Sequence, residues 1–527
     1  MRRLLISLAA TTLAIGALPA QSFPTDDPVL RRIWSLGMDS SQVQSLAQAL
    51  LDSVGPRLTG TPGQKAGVDW LLARYRAWGI PARAEQYGTW RGWRRGISHI
   101  DLLQPRVRSL EGMMLAWSPG TPKGAPVDAP TIIFPNVQSA AELTAWLPQA
   151  RGKFVLMSMA QPTCRADDNW RQFASDTAAF LRMRDQRTEA VRAWNARLLK
   201  ASGDSTLGFA MRTLAPKLEA AGARALITNT WSNGWGVDKI FNARTQQVPT
   251  VDLSCEDYGL VYRLADNRQN PVLRIQAESE NLGEVPVFNV VAELKGTQKP
   301  EEYVLLSAHF DSWDGSSGAT DNGTGTITML EAMRILQRVY PQPKRTILVG
   351  HWSGEEQGLV GSRAFAADHP EIVKGLQAQF NQDNGTGRVV NVSASGLVDA
   401  TGALASWLAR VPREISRNIT FGFAGSPAGG GSDNASFACY GAPGFGLGSL
   451  SWDYGTYTWH TNRDTYDKIV WDDVKNNVVL TAMLAYLASE DPVTVSRTRA
   501  NVFNFNGRPG EWPTCGVPPR KSSEWTR

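Results

Sequence analysis

Apolar and polar positions fall into three textures along the 527-residue chain. Residues 27–54 and 62–79 carry apolar side chains three or four apart, the spacing of amphipathic helices, with GQKAGVDWLLARYRAWG as the clearer case. From about 126 the chain turns to short β-rich runs: APTIIF, KFVLMSM, RALITNT and VPTVDLS (248–254). A long charged helical segment, about 166–200, lies among them. From 286 strands alternate with helices. FNVVAEL and EYVLLSAHF read as strands, TITMLEAMRILQRV as an amphipathic helix and RTILVGHW as a strand. The helical SRAFAADHP and the strand-like LQAQFNQD follow. Strands alternating with helices of about 10–15 residues predict parallel βαβ units, hence an α/β fold with a mostly parallel sheet flanked by helices. The chain divides accordingly into 23–125 with 286–490 as one unit, an inserted β-rich region over 126–285, and a tail over 491–527. The tail shows no periodicity and is expected to wrap the surface.

The first residues change the picture of where the protein works. Met1-Arg2-Arg3 is a basic start, Leu4–Leu18 is apolar, and Ala20-Gln21-Ser22 offers small residues for cleavage. A membrane span needs about 20 apolar residues, so 1–22 reads as a secretory signal peptide and the mature chain as soluble, secreted or periplasmic. Lys plus Arg number 54 and Asp plus Glu 49, a net charge of +5. That small excess, spread over a large surface, argues against a nucleic-acid partner, which calls for clustered cations. Four cysteines, Cys164, Cys255, Cys439 and Cys515, fit an oxidising compartment but contain no CxxC, so a thiolate zinc site is not expected. A Cys164–Cys255 pair within the inserted region is compatible with this pattern, which does not decide it.

The acidic and imidazole residues of the second half fall at the carboxyl ends of the expected strands, where open α/β sheets place their ligands. His309 and Asp311 end EYVLLSAHFD, and Asp321 follows in the glycine-rich SSGATDNGTG. Glu355 and Glu356 follow RTILVGHWSG, Asp383 ends LQAQFNQD, and His460 lies in TYTWHTNRDTYD. Two imidazoles and three carboxylates suit a pair of zinc ions with mixed nitrogen and oxygen ligands. A bridging carboxylate holds two such ions about 3.5–4 Å apart. A further carboxylate beside a ligand is then free to move protons, and the adjacent Glu355 and Glu356 allow that division. Asp311, two residues beyond His309, is placed to accept the second N–H of the ring.

These blocks (HFDSWD, TDN, SGEEQG, FNQDNGTG, GGSDNASF and HTNRDT) resemble the signatures of the secreted di-zinc exopeptidases that include aminopeptidases and glutamate carboxypeptidases. HFDSWD and the EEQG block resemble its carboxypeptidase Q branch, and 126–285 resembles the protease-associated domain that many members carry as an insertion. The resemblance implies two Zn²⁺ per chain bridged by Asp321, with His309 and Asp383 completing one site and Glu356 and His460 the other. It implies Glu355 as general base and a non-prolyl cis peptide between Asp321 and Asn322. The expected function is hydrolysis of dipeptides or short peptides, with peptide as partner, no membrane in the mature form, and a homodimer left open. Two departures bear on substrate contacts. Trp459 stands where the glutamate carboxypeptidases have an oxyanion-holding Tyr, and Asn434 where many aminopeptidases have His.

Other readings weigh less. His99 reads as a surface histidine, His351 as structural, since HWSGE is not HExxH, and His369 before Pro370 as a helix-end residue. No GxSxG and no GK[ST] occurs, which argues against a serine hydrolase and a phosphate loop. Trp313, Trp352, Trp452 and Trp459 flank the motifs, either lining a cleft or packing on the sheet. Sequons at Asn322, Asn384 and Asn434 lie too close to the expected site for glycans. An aminopeptidase, a single-zinc glutaminyl cyclase-like acyltransferase and a non-catalytic receptor-like module remain as alternatives. Arg388 and Arg463 are the cations nearest the motifs for a substrate carboxylate.

Overall fold

A computed structural model describes residues 25–422, 425–502 and 508–524; the expected signal peptide lies outside the described residues. The α/β class is as expected. The strands in chain order are β1 (Ala82–Gln104), β2 (Arg108–Ser109), β3 (Gly112–Met114), β4 (Val127–Ile133), β5 (Phe154–Leu156), β6 (Ala225–Thr228) and β7 (Thr250–Leu253). They continue with β8 (Val272–Leu294), β9 (Lys299–His309), β10 (Arg345–Trp352), β11 (Leu376–Asn381), β12 (Val389–Ser393), β13 (Thr420–Gly422) and β14 (Gly444–Ser449). Across the sheet they run β13-β12-β14-β11-β9-β10-β8-β4-β5-β6-β7-β3, with β1 paired along β8 and β2 beside β1.

Two parallel groups meet at one strand. β14, β11, β9 and β10 pair in parallel, as do β4, β5, β6 and β7. β8 joins them: its end Val290–Leu294 pairs antiparallel with β10, and its start Val272–Ile275 with β4. β1 follows β8 from Ala82↔Ala292 to Gln104↔Val272, with shifts of register near Gly88, Gly92 and Ser98. The boundary expected at 285–286 therefore falls inside β8 rather than in a linker.

Burial explains the strands that read clearly. Every residue of RTILVGHW is buried, as a parallel strand covered on both faces requires. One face carries the helices Pro28–Met38, Pro62–Ala77, Thr324–Val339 and Trp471–Glu490, packed through Ile33, Leu71, Met333 and Leu484. The opposite face is covered by Phe365 and Phe437 on Leu305, Leu348 and Trp352. Around β5 and β6 the helices Thr177–Ser202 and Leu207–Ala220 bury Trp194, Leu198, Leu214 and Leu218. Helix starts carry the expected caps: Thr61 accepts from Gln64 N ahead of Pro62, and Asp176 from Ala179 N.

Disulfides join Cys164 to Cys255 and Cys439 to Cys515. The tail does lie along the surface, through Arg497 on the carbonyls of Val373, Lys374 and Leu376 and Arg520 on Asp368. No helix among the described residues is long and apolar enough to cross a membrane.

Candidate metal centre

Three strand ends and two loops converge. His309 is the last residue of β9, and Asp311 follows two residues on. Asp321 sits in the turn Ala319–Gly323, which opens the helix Thr324–Val339. Glu355 and Glu356 occupy the turn after β10, Asp383 lies two residues past β11, and His460 follows the short helix Tyr454–Tyr457. All seven expected residues meet in one place. The peptide between Asp321 and Asn322 is cis.

The ligand atoms form two groups, His309 with Glu355 and Asp383, and Asp321 with Glu356 and His460; within each, all lie within 4.8 Å of one another. His309 Nε2 is 3.1 Å from Asp383 Oδ1 and 3.5 Å from Asp321 Oδ1. His460 Nε2 is 2.9 Å from Glu356 Oε2 and 3.3 Å from Asp321 Oδ2. The two oxygens of Asp321 thus face the two imidazoles separately.

The role expected of Asp311 is only partly what its contacts show. His309 Nδ1 is 3.1 Å from the backbone carbonyl of Asp311 and 3.5 Å from its carboxylate. The carboxylate instead accepts from the backbone N–H groups of Glu355 (3.3 Å) and Glu356 (3.4 Å) and from the Thr59 hydroxyl (3.3 Å). Asp311 therefore fixes the turn that presents the glutamate pair.

Two more residues build the site, Arg57 outside every quoted block and Asp464 within HTNRDT but with no role assigned to it from the sequence. Asp464 accepts from the backbone N–H of Thr320 (2.8 Å) and Asp321 (2.9 Å), tying the Asp321 turn to the His460 segment. Arg57 is fully buried and donates to the carbonyls of Gly55, Phe310, Ser317 and Gly318, bracing the loop between His309 and Asp321. Gly318 in that loop has φ +59, and a Cβ there would lie 2.3 Å from that of Ser312, so a side chain is barred on both counts.

The electrostatics of the centre ask for cations. Asp311, Asp321, Glu355, Glu356, Asp383 and Asp433 crowd one region. Buried oxygens Asp321 Oδ2 and Glu356 Oε1 make no hydrogen bond. Burial, with the neighbouring carboxylates, pushes both Glu355 and Glu356 well above the usual carboxylate range, and burial lowers His460 to about 4. Arg57, pushed down to about 10 by burial, spends its donors on carbonyls rather than on these acids. Unneutralised carboxylates with imidazole and oxygen donors in two groups fit divalent metal, and the N/O set suits zinc.

A cleft of about 390 Å³ opens over this centre, walled by Leu359, Arg363, Gly430, Tyr454 and Trp459. Arg363 and Tyr454 were not singled out by the sequence, for which a strand-period reading carries no signal, whereas Gly430 and Gly431 open the GGSDNASF block. Trp459 stacks on the His460 ring at 3.9 Å, Trp313 is packed at 6.0 Å from it, and Trp352 is buried under the sheet. Trp452 lines the adjoining cavity. Arg463 is engaged by Glu111 and the Gly236 carbonyl, and Arg388 by Asp473 at 3.7 Å. His351 is buried against the Tyr75 hydroxyl, His369 bonds Glu85 and Glu371, and His99 is exposed.

Residues 289–485, which hold all seven, match peptidase family M28. The chain carries a peptidase family M28 domain. It is similar to carboxypeptidase Q of Xenopus laevis, 25% identical over 79% of this chain and 79% of that protein. The human carboxypeptidase Q is 26% identical, over 64% of this chain and 63% of that protein. Among solved structures, a peptidase M28 precursor from Shewanella amazonensis superposes with a TM-score of 0.64 at 24% identity, covering 89% of this chain and 97% of that one. A zinc aminopeptidase from Bacillus subtilis superposes at 0.53 and 18% identity, covering 87% and 97%. Both share the fold around the M28 domain.

Proposed function

We propose that this chain is a secreted or periplasmic di-zinc exopeptidase of carboxypeptidase Q type, hydrolysing dipeptides or short peptides. The observation that carries the reading is Asp321, whose two oxygens face two imidazoles, each with its own further carboxylate. His309 and Asp383 would hold one zinc, Glu356 and His460 the other, and Asp321 would bridge them. Residues 126–285 are taken as a protease-associated domain inserted into the catalytic unit. Both disulfides fit an oxidising compartment.

Bound zinc supplies Lewis acidity for a carbonyl and lowers the pKa of water. Glu355, beside His309 and Asp383, takes the proton of the attacking water on its carboxylate and returns it to the leaving amine. Asp311 holds the backbone of Glu355, so the carboxylate is presented in one position. Arg363 on the cleft wall supports the carboxypeptidase side of the reading, since a guanidinium pairs with a substrate α-carboxylate. Trp459 and Leu359 offer apolar surface to a side chain.

The test is turnover of matched dipeptides, one N-blocked and one C-blocked, by zinc-loaded and chelated protein, with bound zinc counted. Activity lost to chelator and to the C-block alone marks a carboxypeptidase, and loss to both blocks a dipeptidase. Loss to the N-block alone replaces the reading with an aminopeptidase. One zinc per chain with no peptide turnover overturns it in favour of a cyclase-like enzyme.

A further inference from the structure

The two histidines are held in different ways. His309 has its second ring nitrogen on the Asp311 carbonyl, a bond formed within its own loop. His460 Nδ1 is buried and makes no hydrogen bond, although a metal-ligating histidine ordinarily donates its other N–H. Its backbone lies in the left-handed region at φ +58, which a residue with a side chain occupies only when its surroundings impose it.

Those surroundings come from the inserted region. The segment between β6 and β7 lies along the His460 loop, with an isolated antiparallel bridge between Lys239 and Thr461. Ile240 N–H donates to the His460 carbonyl at 2.8 Å. Asn462 N–H donates to the Asp238 carbonyl, and the Asp238 N–H to Asn462 Oδ1, both at 3.0 Å. Lys239 Nζ donates to the carbonyls of Trp459 (2.8 Å) and Gly455 (3.0 Å) and lies 4.3 Å over the Trp459 ring. Ser232 Oγ donates to the Thr456 carbonyl at 2.6 Å. The imidazole itself is gripped by rings, stacked on Trp459 and met edge-on by Phe241 at 5.2 Å and 89°.

We infer that the inserted segment 231–243 is the positioning element for His460. Phe241 fixes the ring plane, and Lys239 and Ile240 fix the backbone, in place of a hydrogen bond on Nδ1. The inserted region is thus part of how one half of the metal centre is built. Ring packing restrains an imidazole by excluding its other rotamers, and the backbone bonds hold the strained conformation that aims Nε2 at Asp321 and Glu356. The inference rests on the two-zinc reading. Within it, the consequence is asymmetric: disturbing 231–243 weakens the His460-side ion and leaves the His309-side ion alone.

The experiment is a zinc titration of the full chain against a chromophoric chelator, beside thermal unfolding of the metal-free protein. His460→Ala marks which equivalent belongs to that side. In Phe241→Ala and Lys239→Met the same equivalent should weaken about 10–100-fold, as loss of a ligand-orienting partner does. The other equivalent should stay within about twofold of the original protein, and Phe241→Tyr, which keeps the ring, should restore the pattern. Unchanged affinity for both ions, or equal weakening of both, in either folded variant overturns the positioning role. An original protein that binds a single equivalent instead overturns the two-zinc reading, which separates the two failures.

Discussion

Glu355 and Glu356 are chemically identical neighbours, and the turn that carries them gives them different company. Glu356 Oε2 faces His460, whereas Glu355 groups with His309 and Asp383. Glu355→Gln removes the proton acceptor but no assigned ligand. It should lower kcat by about 10²–10⁴-fold with zinc content unchanged, measured by dipeptide turnover and metal analysis on one sample. Asp311→Ala frees the turn and withdraws the carboxylate beside His309 Nδ1. Zinc affinity should fall about 10–100-fold, and saturating metal should restore only part of kcat, because the Glu355 backbone is then unanchored. The seven candidate residues that converge were legible because five lie just at or past the ends of β9, β10 and β11, and Asp321 and His460 lie in the blocks TDN and HTNRDT. Arg57 was not, and Asp464 stood in HTNRDT with no role to be read for it. Both act through backbone atoms some 140–260 positions away, and such bonds leave no period in the sequence. Arg57→Met would strand three buried carbonyls and a half-buried one and should destabilise the protein by about 3 kcal/mol or more, read from denaturant unfolding.

At the scale of elements, the buried parallel strands were legible and β1 was not. RTILVGHW is apolar on both faces, and its burial is complete. WRGWRRGISHI mixes arginines, glycines and tryptophans because β1 alternates buried Trp90 and Trp93 with exposed positions, and its bulges near Gly88 and Gly92 break the period of two. β1 is also tied to the helices behind the sheet by His369, whose Nε2 lies 3.1 Å from Glu85. That hydrogen bond, followed by the attraction of Glu85 and of Glu371, raises the His369 pKa. The folded protein therefore keeps the proton to higher pH than the unfolded chain, whose imidazole titrates near about 6.5. The contribution is complete below that value and is lost as pH rises through the folded pKa above it. Urea midpoints should decline across that window in the original protein more than in His369→Gln; parallel profiles would remove the assignment.

For the whole molecule, the disulfides lie outside the two donor groups, and Cys439–Cys515 shares a small cavity with Arg363 and Gly429 of the cleft wall. Cys439–Cys515 closes 76 residues and holds the tail, where Trp512 donates to the Ala438 carbonyl and Arg520 receives Thr89 N–H on its own carbonyl. A loop of that length is worth about 4 kcal/mol on a chain-entropy account. Cys515→Ser should lower Tm and expose the tail to limited proteolysis while zinc binding is retained, since none of the described tail residues lines the metal cleft. This pair was not legible beforehand, because its two ends sit on segments without periodicity. The texture of the chain did not show how residues 126–285 join the rest. That join is a strand pair, and a strand reads the same whichever neighbours it has at either end.

That strand pair sets how the two parts can move. Both passages of the chain between them, outward along β1 and back along β8, lie inside one ladder rather than in open connectors. The molecule has no swivel there, and a nick in either strand leaves the break splinted by the other. Bending of residues 126–271 against the rest must twist that ribbon and also slide segment 231–243 along the His460 loop, so two separate contacts resist it together.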